Sequence, residues 1–369
     1  MVTTDTTTDT APDPTTRDIA TTPAGTAPMT RRRFLSSLTA AAAAVPLTAA
    51  AACGGAAAGA RRTTTLRYQG WTGQVLLPEL AADLGFLGDV KLRWVGNTIS
   101  GPQDVQSAAT GQVDFGGAFN GAIVKLQEAG APITSVIGYY GTDAESYTGF
   151  FVTEDSPIRS ARDLIGKKVG MNTLGGHSQA VLDLYLRRQG FTSADIAKVE
   201  ALAVPPVSME QALRRGQIDV AALNDIFREK AVANGGVRTL FKDYDFLGAF
   251  TAGSYVFRDD FIERNPGTVR AFTAGVAKAI EWSRERSRDE VVARLKKILQ
   301  ARGRNETAEA LEYWKSWGVA EKGGVMTDRE FDTWRTWLED VGQIPEGSIK
   351  ARDLYTNEFN PYAGQGGRR

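Results

Sequence analysis

From residue 64 onward the apolar positions follow two alternating periods. Short apolar or alternating runs read as strands at 66–68, 90–95, 114–118 and 133–137. Between them, apolar residues recur at i, i+3 and i+4, which reads as helices at 75–84, 102–110 and 122–129. On the first of these, Leu76, Leu77, Leu80 and Leu84 form the buried side, and Pro78 is tolerated in the first turn. Strands alternating with helices predict a parallel sheet with right-handed crossovers. Ligands of such sheets bind beyond the carboxyl ends of the strands, here the turns 69–73, 96–101, 119–121 and 139–142.

The stretch 168–186 reads as a strand, a glycine turn and a helix. Gly175 and Gly176 allow positive φ where the strand ends, and the helix begins near His177 and Ser178 with Val181/Tyr185 and Leu182/Leu186 at i,i+4 spacing. Unpaired N–H groups at such a start make a ready anion site. His177, the one histidine of the chain, sits in that turn; it either caps the helix, faces solvent or meets a ligand.

An internal echo organises the chain. Gly111-Gln112-Val113-Asp114 recurs as Gly216-Gln217-Ile218-Asp219, each copy after a helix and before an apolar strand. The strands end at Asn120 and Asn224, and the helices that follow stop at Gly130 and at Gly235-Gly236. This order implies two similar α/β lobes, or convergence on one good helix-to-strand turn. Between the copies lie a strand at 199–203 and Ser208-Met209-Glu210-Gln211, which reads as a capping box starting a helix. After the strand 220–223, Asp225 could hold an amine of a ligand, or Asn224 or Asp225 could cap the helix 226–233. The extended segments 147–153 and 253–258 read as two hinge strands, with short elements at 156–164 and 261–265 after them.

From 266 to 341 the period is helical. Pro266 suits the first position of a helix running to 286, followed by 291–299, 306–317 and 328–341, the last with Thr327 and Glu330 as a capping box. Trp314, Trp317, Trp334 and Trp337 recur at i,i+3 on two of these helices, a pattern expected of core packing. Residues 349–359 are expected to return onto the first lobe.

Composition adds the compartment. Lys+Arg and Asp+Glu are both 43, so no global field favours nucleic acid. Residues 1–30 are rich in Thr, Asp and Pro and cannot bury a core. Thr30-Arg31-Arg32-Arg33-Phe34-Leu35 matches the twin-arginine export pattern, and an Ala-rich apolar run to residue 52 completes a signal peptide. Cys53, the only cysteine, stands in Ala50-Ala51-Ala52-Cys53-Gly54, which resembles a lipobox with Ala50 where Leu is usual. Acylation of Cys53 is the expectation, and cleavage at an Ala-x-Ala site the rival. A lone cysteine excludes an intramolecular disulfide. Residues 54–60 would form a Gly/Ala tether, and no later stretch is apolar for long enough to span a bilayer.

Four further motifs carry a family resemblance: Ala109-Thr110-Gly111-Gln112-Val113-Asp114-Phe115-Gly116, Glu128-Ala129-Gly130-Ala131-Pro132-Ile133, Asp163-Leu164-Ile165-Gly166-Lys167-Lys168-Val169-Gly170 and Asn172-Thr173-Leu174-Gly175-Gly176. With them the chain resembles, over nearly all of 64–362, the solute-binding lipoproteins of ABC importers in the nitrate/sulfonate/taurine group, a fold that also houses a thiamine-pyrimidine precursor group. The resemblance implies an α/β, type II periplasmic-binding-protein fold: two α/β lobes joined by two hinge strands, with a C-terminal helical extension packed on lobe I. The layout would be 1–52 disordered region and signal, 53–63 lipidated tether, 64–150 lobe I, 151–252 lobe II and 253–369 the rest of lobe I. Carried over by position, the ligand-binding residues are Gly70, Trp71, Thr72, Asn120 and Gly121 from lobe I, and Thr173, Gly176, His177, Ser178, Asn224 and Asp225 from lobe II. In taurine-type receptors a carboxylate holds the ligand amine, here Asp225. No arginine falls in the cleft motifs, which favours neutral donors to an anion.

The resemblance implies no catalysis, cofactor or metal. It implies a monomeric, exported receptor, anchored by lipid to the outer face of the membrane, that captures a small anionic or zwitterionic solute and delivers it to a permease with its ATPase. The alternatives are a precursor-binding protein or synthase-like enzyme on the same fold, or an exported ligand sensor. The related pyrimidine synthases consume a histidine and use a cysteine-rich iron motif, whereas this chain has no cysteine after Cys53.

Overall fold

In the computed structural model, which describes residues 63–364, the two copies of the Gly-Gln-apolar-Asp motif make the same turn. Gly111 and Gly216 take φ of +75° and +66°, a region that costs other residues about 1–2 kcal/mol. Each closes the helix before it, donating to the carbonyl of Ala108 or Leu213. Asp114 then accepts the N–H of Arg67 at 2.7 Å, and Asp219 that of Lys168 at 2.8 Å. The N–H groups of both aspartates return to the carbonyls of the same two residues. One aspartate per lobe therefore clamps the start of a strand to its neighbour.

The first of the two lobes contains β1 (Thr65–Gly70), α1 (Leu77–Asp83), β2 (Lys91–Asn97), α2 (Gly101–Ala109), β3 (Phe115–Phe119), α3 (Asn120–Glu128) and β4 (Ile133–Thr142). The second contains β5 (Gly149–Thr153), β6 (Lys168–Met171), α4 (His177–Arg188), α5 (Ser193–Ile196), β7 (Glu200–Ala203), α6 (Pro206–Arg214), β8 (Val220–Leu223), α7 (Asp225–Ala233) and β9 (Val237–Lys242). The chain returns through α8 (Tyr244–Leu247) and β10 (Phe250–Arg258) to α9 (Asp259–Arg264), α10 (Pro266–Glu285), α11 (Arg288–Ala301) and α12 (Arg329–Asp340).

The sheets are mixed rather than all parallel. β1 pairs with β2 in parallel, but the returning β10 inserts antiparallel between β3 and β4. In the second lobe the order is β7-β6-β8-β5-β9, with β6 parallel to both neighbours and β5 antiparallel to both of its own. A strand that enters from the other lobe runs against its neighbours, so the expectation of a purely parallel sheet fails at β5 and β10. The core beneath β3 and β10 is aromatic: Phe115 packs on Phe272 at 4.6 Å between ring centres, and Phe257 on Phe272 at 5.0 Å.

The crossings between lobes are the short segments 143–148 and 243–249, and one buried carboxylate joins them. Asp243 accepts the Thr142 hydroxyl at 2.8 Å and the Thr148 N–H at 3.1 Å, and its own N–H donates to the Thr148 carbonyl. Most of 147–153 and all of 253–258, expected as the crossings, are strands within one lobe's sheet, β5 and β10.

Three local expectations are corrected. Ser208 lies inside α6, which starts two residues earlier at Pro206, because proline's fixed φ suits a first helical residue. Gly176 is extended (φ −94°), and only Gly175 takes positive φ (+71°). The segment 306–317 is not a helix beyond the single 3-10 turn Glu309–Tyr313. There the backbone is pulled onto β4: Gly141 donates to the Trp317 carbonyl at 3.1 Å. A Cβ on Gly141 would lie 2.1 Å from the Phe250 oxygen and 2.5 Å from that of Gly318. The tail behaves as expected, with Tyr355 bridging to Ser135 of β4 and Thr327 N–H donating to Glu330 at 2.7 Å. Among the described residues no helix is long and apolar enough to cross a membrane.

The Gly141 approach is testable. Gly141→Ala is expected to lower stability by about 2–3 kcal/mol, the scale of overpacking a closed site, measured by urea unfolding. A loss under about 0.5 kcal/mol would mean that this backbone contact yields freely.

Candidate functional site

Helix starts from both lobes open into one cavity of about 170 Å³, on the order of ten times the room a single water needs. Leu77 of α1, Gly101 of α2, His177 and Ser178 of α4, Pro206 of α6, and Asn224 and Asp225 of α7 all line it. All of these starts but α2, which Ser100 caps, lack a side-chain cap bond. α4 follows Gly176, which has no side chain, and α7 follows Asn224, whose side chain makes no cap bond. Their first-turn N–H groups carry partial positive charge with no intrahelical partner. None of the described residues lining the cavity is Lys or Arg, so the backbone supplies the positive potential.

Side chains add unspent hydrogen-bonding capacity. Thr173 Oγ1, His177 Nε2, Tyr255 OH and Trp314 Nε1 are buried, line the cavity and have no partner. A buried polar group left alone costs about 1–3 kcal/mol, so four in one cavity mark a place built to be filled.

His177 sits on the floor. Its ring stacks on Phe119 at 5.3 Å and meets Trp334 and Phe250 edge-on at 5.6 and 5.7 Å. Burial pushes its pKa down to about 3, so the ring is neutral at physiological pH. Nε2 lies 3.6 Å from Asp243 Oδ2, too far for a hydrogen bond. Burial raises the Asp243 pKa to about 7 despite the donors around it. We therefore describe the two as a neutral imidazole beside a reluctant acid rather than an ion pair.

Asp225 is the one acidic residue among the lining residues. It adopts φ of +47°, unusual for a residue with a side chain, and accepts the Ser146 hydroxyl at 3.0 Å. Burial raises its pKa, opposed by the Ser146 bond and the Arg228 charge. The tail closes over this side: Lys315 pairs with Glu229 of α7 at 2.8 Å, and the Ser316 hydroxyl donates to Asp143 of the first crossing at 2.5 Å.

Of the residues expected from the sequence, Trp71, Thr173, Gly176, His177, Ser178, Asn224 and Asp225 line the cavity. Four do not. Gly70 lies under Arg304 and gives its carbonyl to the Thr98 N–H. Thr72 is exposed and accepts Asn97 Nδ2 at 3.0 Å. Asn120 is fully buried, donating to the Thr251 and Glu330 carbonyls and accepting from Ser254. Gly121 is packed against the Phe119 ring and Trp334. Their polar groups already serve the fold. Cys53 lies outside the described residues.

The sequence reading missed the aromatic wall. Tyr139, Tyr140, Phe227, Tyr255, Trp314 and Trp317 line the cavity. Trp314 and Trp317 pack on the first lobe's core as their spacing suggests, but without the expected helix they also line the cavity. The available signal was Gly318, which ends the segment (φ +65°).

Two lobes of mixed α/β structure, joined by paired crossings and sharing one cavity at their helix starts, define the type II periplasmic-binding class. The chain belongs to the NMT1/THI5-like family, which it matches over residues 89–288. A putative aliphatic sulfonates-binding protein of Escherichia coli K12 is 28% identical over 211 residues, 57% of this chain and 62% of that relative. The chain thus matches less than two thirds of the curated relative's length. Among solved structures, the alkanesulfonate-binding protein SsuA from Xanthomonas axonopodis pv. citri bound to MOPS superposes with a TM-score of 0.62 at 19% identity, over 80% of this chain and 99% of that one. The desulfurization enzyme DSZB superposes with a TM-score of 0.54 at 17% identity, over 80% and 97%. At these identities the two structures show the shared fold.

Asp243 makes a pH prediction. Its folded pKa near 7 against an ordinary 3.8 means that the folded protein holds this proton more tightly. The stability it contributes is full below about pH 4 and lost as pH rises to about 7. Asp243→Asn removes that loss, while the opposing contribution of His177 stays common to both proteins. The melting temperature of the variant relative to wild type should therefore climb between pH 4 and 7 and then level off. A difference flat across that range, by scanning fluorimetry, would rule the assignment out.

Proposed function

We propose that this protein is an extracytoplasmic receptor of an ABC importer that captures a small anionic or zwitterionic solute of the sulfonate type. The observation that carries the reading is the pair of uncapped helix starts, α4 and α7, facing one cavity beside the unpartnered Thr173 hydroxyl with no Lys or Arg in the lining. Such a site binds an anion through neutral donors, without the strong field that would hold any anion from solution. The names of the curated relative and of the SsuA structure support the sulfonate class. Asp225 is the partner for an amine where the solute carries one.

In this reading lobe I runs to Thr142 and resumes at Phe250, and 149–242 form lobe II, each boundary a few residues from the one expected. A solute bonded to both holds them together, and the closed form docks on a permease served by an ATPase. The receptor is monomeric, exported by the twin-arginine signal and tethered through an acylated Cys53.

Two experiments test it. Residues 61–369 are melted with methanesulfonate, taurine, nitrate and chloride. A sulfonate at 100 times its Kd should add about 2.7 kcal/mol, a rise on the order of five degrees. Thr173→Val should weaken that sulfonate about tenfold, the scale of one hydrogen bond to a charged group. No shift with either sulfonate would overturn the solute class. For the tether, Cys53→Ser should move the protein from the membrane to the soluble fraction; unchanged fractionation would exclude acylation.

A further inference from the structure

The aromatic part of the cavity lining has its own chemistry. The groups able to hold an anion come from 172–178 and 224–225. Another part of the lining comes from β4, β10 and the tail, and it is aromatic and apolar: Tyr139, Tyr255, Leu311, Trp314 and Trp317. Tyr139 stacks on Tyr255 at 4.1 Å, with their planes 20° apart, and Trp314 meets Trp317 edge-on at 5.6 Å. Two of the four unpartnered polar atoms of the cavity, Tyr255 OH and Trp314 Nε1, belong to this wall.

A compact anion such as nitrate or methanesulfonate would fill the donor end and leave this wall facing water. An alkyl chain would cover it but offer nothing to the Tyr255 O–H or the Trp314 N–H, leaving both buried and unpaired. An arene covers the wall and presents a π face that these donors can meet, with the offset and edge geometries aromatic groups favour. Resting on the receptor reading above, we infer that the preferred solute is an arenesulfonate: a sulfonate head at the start of α4 beside the Thr173 hydroxyl and a flat ring against the aromatic wall.

The test needs no variant to begin. Isothermal titration of residues 61–369 compares methanesulfonate, hexanesulfonate and benzenesulfonate, the last two matched in carbon number. Burying one methylene-sized group is worth roughly fourfold in affinity, so benzenesulfonate should bind at least tenfold tighter than methanesulfonate. It should also bind at least fivefold tighter than hexanesulfonate. Trp317→Ala should reduce the benzenesulfonate affinity tenfold or more while changing that of methanesulfonate less than threefold. Where that variant fails to fold, the three-ligand comparison on the unmodified protein decides alone. Hexanesulfonate binding as tightly as benzenesulfonate, or benzenesulfonate binding no tighter than methanesulfonate, overturns the inference while the receptor reading stands. No binding of any of the three overturns both.

Discussion

The architecture depends on two chain crossings held side by side by one buried carboxylate. Asp243 receives a hydroxyl from the end of β4 and an N–H from the start of β5, and its own N–H pairs with Thr148. With the β4–β10 ladder at one end and the β5–β9 ladder at the other, that clamp keeps 143–148 and 243–249 side by side. The cost is visible in its environment. Burial holds the acid near pH 7, and the nearest imidazole is too far away to form a bond. The crossing is held by directional hydrogen bonds rather than by an ion pair.

Around that joint the cavity is assembled from parts that are each incomplete alone. A helix start is a weak anion site, and a neutral buried histidine is only packing. A threonine hydroxyl without a partner is a small debt of free energy. Their convergence is what supports reading the cavity as a binding site, because each leaves unsatisfied what one solute can satisfy. The second lobe contributes most of the donors and the first lobe with its tail most of the apolar surface. A ligand using both therefore stabilises the arrangement of the lobes as well as its own contacts.

The tail lines the cavity as well as packing on the first lobe. Its course follows from a backbone-to-backbone approach that only glycines allow at 141 and 318. Once docked there, the segment turns Trp314 and Trp317 toward the cavity, and it reaches the second lobe through Lys315 and the first crossing through Ser316. These contacts give the tail a stake in how the lobes meet.

What the sequence determined by itself was local. Strand 220–223 and the glycine-led start of the helix at His177 follow from propensity, periodicity and turn chemistry, which act over a few residues. The repeated Gly-Gln-apolar-Asp turn was legible for the same reason, and the family motifs added the two-lobed plan. The tertiary structure decided what depends on distant partners. Asn120 and Asn224 occupy matching places after their strands, yet Asn120 is consumed by Thr251, Glu330 and Ser254 while Asn224 faces the cavity. Trp314 and Trp317 carry a helical spacing, yet a glycine contact nearly 180 residues away in the chain unwinds it. No short window contains those partners, so whether a polar group is spent on the fold or left for a ligand was settled only when the chain closed on itself.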